Sequence, residues 1–321
     1  MEGNLSKVDR GNSFDIKKAI EKLAALSSLI VMMIFFSIFS EYFLTTTNLL
    51  TIALQTAVIG IIAIGQTMVI ITSGIDLSVG SIVAFSGVSA GLLVERGFPL
   101  SICLLFGLLM GTIVGIVNGI LISKAKLPPF IATLGMMMLL RGLTLALTNG
   151  MPISSFDDSF VLLSGGSIMG IPNPVIYFIG IGIFFNFLLK RTVIGKDIYA
   201  IGSNEEAARL SGVNVIKTKL IVYGFSGFLS GISGIILASR LISAQPTEGM
   251  GYELDAVAAV VIGGASLSGG KGTIIGTIIG AFIMSTLRNG LNMMNVSGFW
   301  QQFVVGVVLL IAVYMDQRRK K

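Results

Sequence analysis

No histidine occurs anywhere in the 321 residues. That absence excludes His-based catalytic triads, HExxH metal sites and imidazole proton relays together. The single cysteine, Cys103, lies inside an apolar run, so no intramolecular disulfide can form. No glycine-rich loop ends in Lys-Ser or Lys-Thr. The run Gly269-Gly270-Lys271-Gly272 lacks the phosphate-loop spacing and sits between apolar stretches, so the chain is not expected to bind ATP itself. Charge is scarce, at 12% of residues. Asp76, Glu253 and Asp255 fall near span ends, and a lack of midplane carboxylates disfavours proton coupling. Intramembrane proteolysis would need a Ser-His pair, a metal site or an aspartate pair, and none is recognisable. No catalytic residue, cofactor or metal ligand is expected on this chain.

What remains is apolar. Hydrophobic residues make up 54% of the chain, with 40 glycines, a composition far from that of a soluble domain. A hydrocarbon core about 30 Å thick needs roughly 20 apolar residues per helix. The sequence therefore predicts an all-α, polytopic integral membrane protein of about ten transmembrane helices and no separate soluble domain. The net charge of +6 reports topology rather than nucleic acid, because the basic residues lie beside spans.

In chain order, residues 1–23 are a polar, mixed-charge tail ending in Lys17, Lys18 and Lys22. Residues 24–316 form a single transmembrane domain, and 317–321 a basic tail. Apolar runs cover 24–44, 49–72, 77–94, 98–123, 129–148, a sixth ending at Leu189, and 220–241. Residues 149–171 contain no Lys or Arg and suit an outer loop, whereas Lys190, Arg191, Lys196, Lys217 and Lys219 mark the loop 190–219 as cytoplasmic. The stretch 252–267 is short and interrupted. We take it and 273–288 to cross, with eight crossings as the alternative in which both re-enter. Both termini are then cytoplasmic, and 18 of the 22 Lys and Arg lie on that side. Two heptapeptides, Gly74-Ile-Asp-Leu-Ser-Val-Gly80 and Gly264-Ala-Ser-Leu-Ser-Gly-Gly270, echo each other at inner turns, a pattern seen where transporters carry repeats.

One stretch of the cytoplasmic loop is built to fold in water: Ser203-Asn204-Glu205-Glu206-Ala207-Ala208-Arg209-Leu210-Ser211-Gly212. Ser203 sits three residues before Glu206, the capping-box spacing, and Gly212 can close the helix in the left-handed conformation. Glu205 and Arg209 stand four apart with the acid first, and Ala207, Ala208 and Leu210 leave a small apolar face for a partner. Within the spans, Gln66, Thr67, Asn118, Asn289 and Asn292 are candidate pathway residues, although such groups also serve as helix-to-helix hydrogen bonds. Arg141, Arg240 and Arg288 lie toward outer span ends, where unpaired arginine is costly. All three are candidates for docking a soluble partner through its carboxylates, with internal pairing to Glu253 or Asp255 as the competing reading, strongest for Arg141.

The run Gly195-Lys-Asp-Ile-Tyr-Ala-Ile-Gly-Ser-Asn-Glu-Glu-Ala-Ala-Arg-Leu-Ser-Gly212 resembles the cytoplasmic loop of the permease subunits of bacterial ATP-binding-cassette (ABC) importers for monosaccharides. Gly74 to Gly80, Pro129-Phe-Ile-Ala-Thr-Leu-Gly135, Arg141-Gly-Leu-Thr144, Ser243-Ala-Gln-Pro246 and Tyr252 to Gly264 are similar to that family's signatures, and the resemblance runs from Leu49 to the C-terminus. Residues 128–150 and 239–293 look most like its ribose-importing branch. Serine at 203 stands where the family has glycine. The resemblance implies a homodimer forming the pathway for a monosaccharide in the bacterial cytoplasmic (inner) membrane. It also implies a cytoplasmic ATPase with two nucleotide-binding halves holding ATP and Mg, and an extracytoplasmic sugar-binding protein. Residues Ser203 to Gly212 would then be the coupling helix that enters a groove of the ATPase. The alternative is an ion-coupled secondary carrier of small polar solutes.

Overall fold

The computed structural model describes residues 25–154 and 156–318. The tail 1–23 and the basic residues Arg319, Lys320 and Lys321 lie outside the described residues. The chain is almost entirely helical: α1 Ala25–Phe39, α2 Thr46–Ile71, α3 Val79–Glu95, α4 Leu100–Ser123, α5 Pro129–Thr148, α6 Asp158–Gly165, α7 Asn173–Arg191, α8 Val193–Ser203, α9 Glu205–Leu210, α10 Val215–Leu241, α11 Tyr252–Ile262, α12 Ile274–Met293 and α13 Gly298–Arg318. The only sheet among the described residues is a hairpin of β1 Ser167–Ile168 and β2 Ile171–Pro172. Its two-residue turn, Met169-Gly170, takes positive φ at both positions, as the twist of a tight hairpin requires.

Seven of the described helices are long and apolar enough to cross a membrane: α2, α4, α5, α7, α10, α12 and α13. Helices α1 and α3 are apolar but shorter. Helices α2 and α10 form the buried centre, while α4, α5, α7 and α13 turn Leu, Ile and Phe outward. An apolar exterior of this extent is a lipid-facing surface. Close packing at the centre depends on glycine. A Cβ at Gly115 would overlap the Tyr223 carbonyl, and one at Gly227 would overlap that of Gly111, so α4 and α10 touch through their backbones.

Two passages of the chain into the bundle are irregular at their start. After α2 ends, residues 72–78 turn back into the interior. Asp76 meets Ser226, eleven residues along α10 and therefore about 16 Å from that helix's start. Helix α3 begins there. Helix α11 has 11 residues, about 16 Å, too short to cross alone. The irregular limb 243–251 and α11 together run the length of the bundle, because Ala244 pairs with Ile153 near the far end of α10 while Gly270, just past α11, bonds Ile71 at the opposite end. The first turn of α3 meets the limb that leads into α11: Gly80 and Gly249 are so close that a Cβ on either would strike the other's backbone carbonyl. Glycine is required at that contact.

This geometry corrects one expectation. Asp76 and Asp255 are not at span ends in contact with the surface but have no solvent-exposed area. They are buried because the chain folds inward at 72–78 and 243–251, and they sit beside the positive ends of α3 and α11, where a carboxylate is favoured.

Candidate coupling and translocation site

The loop 190–219 contains two helices. Helix α8 starts at Thr192, whose hydroxyl accepts from the N–H of Gly195 at 3.2 Å, and continues through Ser203. Ser203 is therefore the last residue of α8 and not a cap: its hydroxyl donates back to the Tyr199 carbonyl at 2.9 Å. The cap of α9 is Asn204, accepting from the N–H of Ala207 at 2.9 Å. Helix α9 has six residues, and Gly212 closes it at φ +89°. The charge pairing also differs from the expected Glu205–Arg209. Glu206 pairs with Arg209 at 2.6 Å, while Glu205 reaches Lys219 on α10 at 2.7 Å. Ala208 is buried against the body, and Leu210 is 79% exposed. A short, doubly charged helix with one free apolar residue is thus presented outward from the end of α8.

The end of α8 grips both inner turns. Gly202 lies so close to the Ile71 carbonyl and the Gly270 nitrogen that any side chain would overlap them. Gly270 N–H donates to that same carbonyl of Ile71 at 2.9 Å. The Ser73 hydroxyl donates to the Ser268 carbonyl at 2.9 Å, with the Gly202 carbonyl at 3.4 Å. The Tyr199 hydroxyl donates to the Gly272 carbonyl at 2.7 Å, and burial pushes its phenol up from the ordinary value, keeping it a donor. The second of the two echoing heptapeptides, through Ser268 and Gly270, thus belongs to the clamp, whereas the first begins just past it and runs into the interior. Tyr199 and Gly202 were visible in the run 195–212 but carried no signal of what they would touch.

Most of the neutral polar candidates are spent on packing. Asn118 donates to the Ser78 hydroxyl at 2.8 Å, Ser78 donates to Asp76 at 2.6 Å, and Ser226 donates to the other Asp76 oxygen at 3.0 Å. The Gln66 amide serves the Asp76 peptide, donating to its carbonyl at 3.3 Å and accepting from its N–H at 3.2 Å in the orientation that satisfies both. Thr67 and Thr277 share a 2.6 Å hydroxyl bond. Asn289 and Asn48 exchange amide bonds at 2.9 and 3.0 Å. Only Asn292 of the five lines open space.

That space is a cavity of about 300 Å³ at the end of the bundle opposite α9. It lies between α2, α10 and α12 and the first turns of α11 and α13. Gln55, Arg240, Glu248, Tyr252, Ser285, Arg288, Asn292 and Gln301 are its polar lining. Of the three arginines, Arg288 is held by Asp255 at 2.8 Å. Arg141 donates to the carbonyls of Glu248 at 2.6 Å and Pro246 at 3.2 Å, a backbone partner in place of a carboxylate. Arg240 lines the cavity and makes no hydrogen bond to a described residue.

Outward-facing apolar helices, two short helices whose starts meet inside the bundle and a charged helix held at one end define a membrane transport subunit. Comparison with known proteins narrows the class. Residues 48–313 match the family described as branched-chain amino acid transport system / permease component. The chain is 45% identical to the ribose import permease protein of Escherichia coli strain K12 over 97% of this chain and 98% of that one. It is 45% identical to the ribose import permease protein of Bacillus subtilis strain 168 over 94% of each. It is 39% identical to the D-allose transport system permease protein of Escherichia coli strain K12 over 90% of this chain and 89% of that one. No solved structure matches. The chain belongs to this permease family, and it is a multi-pass protein of the bacterial inner membrane.

Proposed function

We propose that the chain is the membrane subunit of an ATP-driven importer of a monosaccharide of the ribose class. Two copies form the pathway, served by a cytoplasmic ATPase with two nucleotide-binding halves that carries ATP and Mg, and by an extracytoplasmic sugar-binding protein. The observation that carries this reading is the near full-length identity to two ribose permeases. The clamp supports it: a helix presented to the cytoplasm is joined rigidly to the turns that lead into both half-crossings, so movement of α9 would reach the membrane interior. The family description mentions amino acids, but the full-length relatives named above transport sugars by name.

In this reading the membrane is crossed ten times, by α1 to α5, α7, α10, the segment 243–262, α12 and α13. Lys190, Arg191, Lys196, Lys217 and Lys219 gather at the α9 end, which supports a cytoplasmic position for it. The test is uptake of D-ribose into proteoliposomes holding the complete complex. Uptake that requires ATP on the ATPase side and binding protein on the other supports the reading. Uptake driven by a proton gradient without ATP would return the chain to the ion-coupled carriers.

A further inference from the structure

The cavity at the end opposite α9 contains more polar capacity than the fold uses. Gln55, Arg240, Glu248 and Asn292 line it and make no side-chain hydrogen bond to a described residue. Two residues of the lining also carry buried polar atoms without a partner, Ser285 Oγ and Arg288 Nε, and Ser285 has no exposed area. Polar side chains without protein partners gathered around one cavity are what an orienting ligand site looks like.

The chemistry of the lining selects the ligand. Arg288 is neutralised by Asp255, and the remaining charges, Arg240 and Glu248, are of opposite sign. No net charge is left to attract an anion or a cation. The lining mixes donors, acceptors and groups that are both, such as Ser285 and Tyr252. A sugar hydroxyl is itself donor and acceptor and can satisfy either kind. A branched aliphatic side chain would leave them all unpaired, so the cavity does not suit an apolar amino acid. The Tyr252 ring offers an apolar face with a polar edge for a pyranose or furanose. The volume is at the small end of ligand pockets, suited to a molecule of about ten to twelve heavy atoms.

We infer that, given the transport reading proposed above, this cavity is a monosaccharide subsite within each permease copy, with Gln55, Arg288 and Asn292 hydrogen-bonding the sugar as it leaves the binding protein. Arg240 and Glu248 face the same ligand. Their work is to hold a neutral polyol, not to dock a protein.

The test uses the complete reconstituted complex with wild type, Gln55→Leu, Asn292→Leu and Asn292→Gln. It reads D-ribose and D-allose moved per ATP, and the binding-protein concentration giving half-maximal ATPase stimulation. For the two leucine variants we expect at least a tenfold fall in D-ribose moved per ATP, an altered ratio of D-ribose to D-allose, and an unchanged half-maximal concentration. Asn292→Gln should keep most of the transport. A folding defect would lower both sugars alike and leave their ratio intact. An unchanged ratio, or sugar per ATP within twofold of wild type for both leucine variants, overturns the subsite. A raised half-maximal concentration overturns it in favour of docking. Wild-type complex that moves neither sugar with ATP would defeat the transport reading first and the subsite with it, whereas wild-type transport with unaltered variants defeats the subsite alone.

Discussion

The N–H of Gly270 donates to the carbonyl of Ile71 at 2.9 Å, and Gly202 is wedged against both atoms. Three chain segments separated by some 70 to 200 residues are thereby locked at one point. In the transport reading proposed above, that point is where α8 would deliver any force applied to α9, because helices are stiff along their axes and backbone contacts leave no compliant side chain between them. Beyond it, residues 72–78 and α11 lead directly to the meeting of Gly80 and Gly249.

The first prediction concerns Gly202. In Gly202→Ala the new methyl overlaps backbone atoms, which cannot rotate away, so the clamp must open at a cost of about 1–3 kcal/mol. Protein level in the membrane should persist, since the spans are untouched. ATP-driven D-ribose uptake should fall at least tenfold. Normal uptake would show that the contact transmits nothing.

Tyr199→Phe removes one hydrogen bond and leaves the Gly272 carbonyl unserved, a loss of about 1–3 kcal/mol. Uptake should drop with ATPase activity partly retained. The pH dependence has a definite sign. The free phenol ionises near 10.0 and the buried one above that, so the packed state binds the proton more tightly. The contribution is therefore complete at neutral pH and is lost only as pH rises beyond about 10. A contact that weakens between pH 6 and 8 in the wild type, but not in Tyr199→Phe, would contradict this assignment.

A third prediction separates the two ends of α9. Asn204→Ala removes the cap and should cost about 0.5–2 kcal/mol of local helix stability. Glu206→Lys breaks the pair with Arg209 and puts a positive charge at the positive helix end. Gly212→Leu strains a position held at φ +89°. Each should uncouple transport from ATP hydrolysis while the permease still assembles. Any one variant transporting at the wild-type rate would reduce α9 to a connector.

How much of this was legible beforehand follows from the range of the interactions. Composition announced the membrane, and Gly212 announced a helix end, because both depend on local chemistry. The cap was placed one residue early. Ser203 and Asn204 are equally good capping residues, and only the continuation of α8 through Ser203 decides between them. The stretch 252–267 was legible as short, whereas 77–94 read as an ordinary span, and their meeting was not legible at all, since Gly80 and Gly249 are joined only in three dimensions. The partners of the polar candidates were illegible for the same reason. The partner of Thr67 is 210 positions away and that of Asn289 is 241 away, and no local pattern names them.

Topology gives a fourth prediction. Reporter domains active only outside the membrane should be active when fused after Met151 and silent when fused after Lys196. The first lies in the segment lacking Lys and Arg, and the second follows the basic residues Lys190, Arg191 and Lys196 at the end of α7 and in α8. The opposite pattern would invert the protein and remove α9 from reach of a cytoplasmic ATPase.

The last prediction tests the pair beneath the cavity. Asp255 has no exposed side-chain area, and Arg288, 30% exposed, reaches it at 2.8 Å. Removing one partner strands the other charge inside the bundle, whereas removing both leaves neutral groups of similar size. Arg288→Gln and Asp255→Asn should therefore each destabilise by about 3–5 kcal/mol, and the double variant by much less than their sum. The ordering of the single variants is informative. Arg288→Gln strands the fully buried carboxylate and should be worse than Asp255→Asn, which leaves an arginine that can still reach water. Thermal unfolding of the detergent-solubilised protein measures all three. Additive effects would show that the pair is not energetically coupled, and a mild Arg288→Gln would show that Asp255 is already satisfied without its arginine.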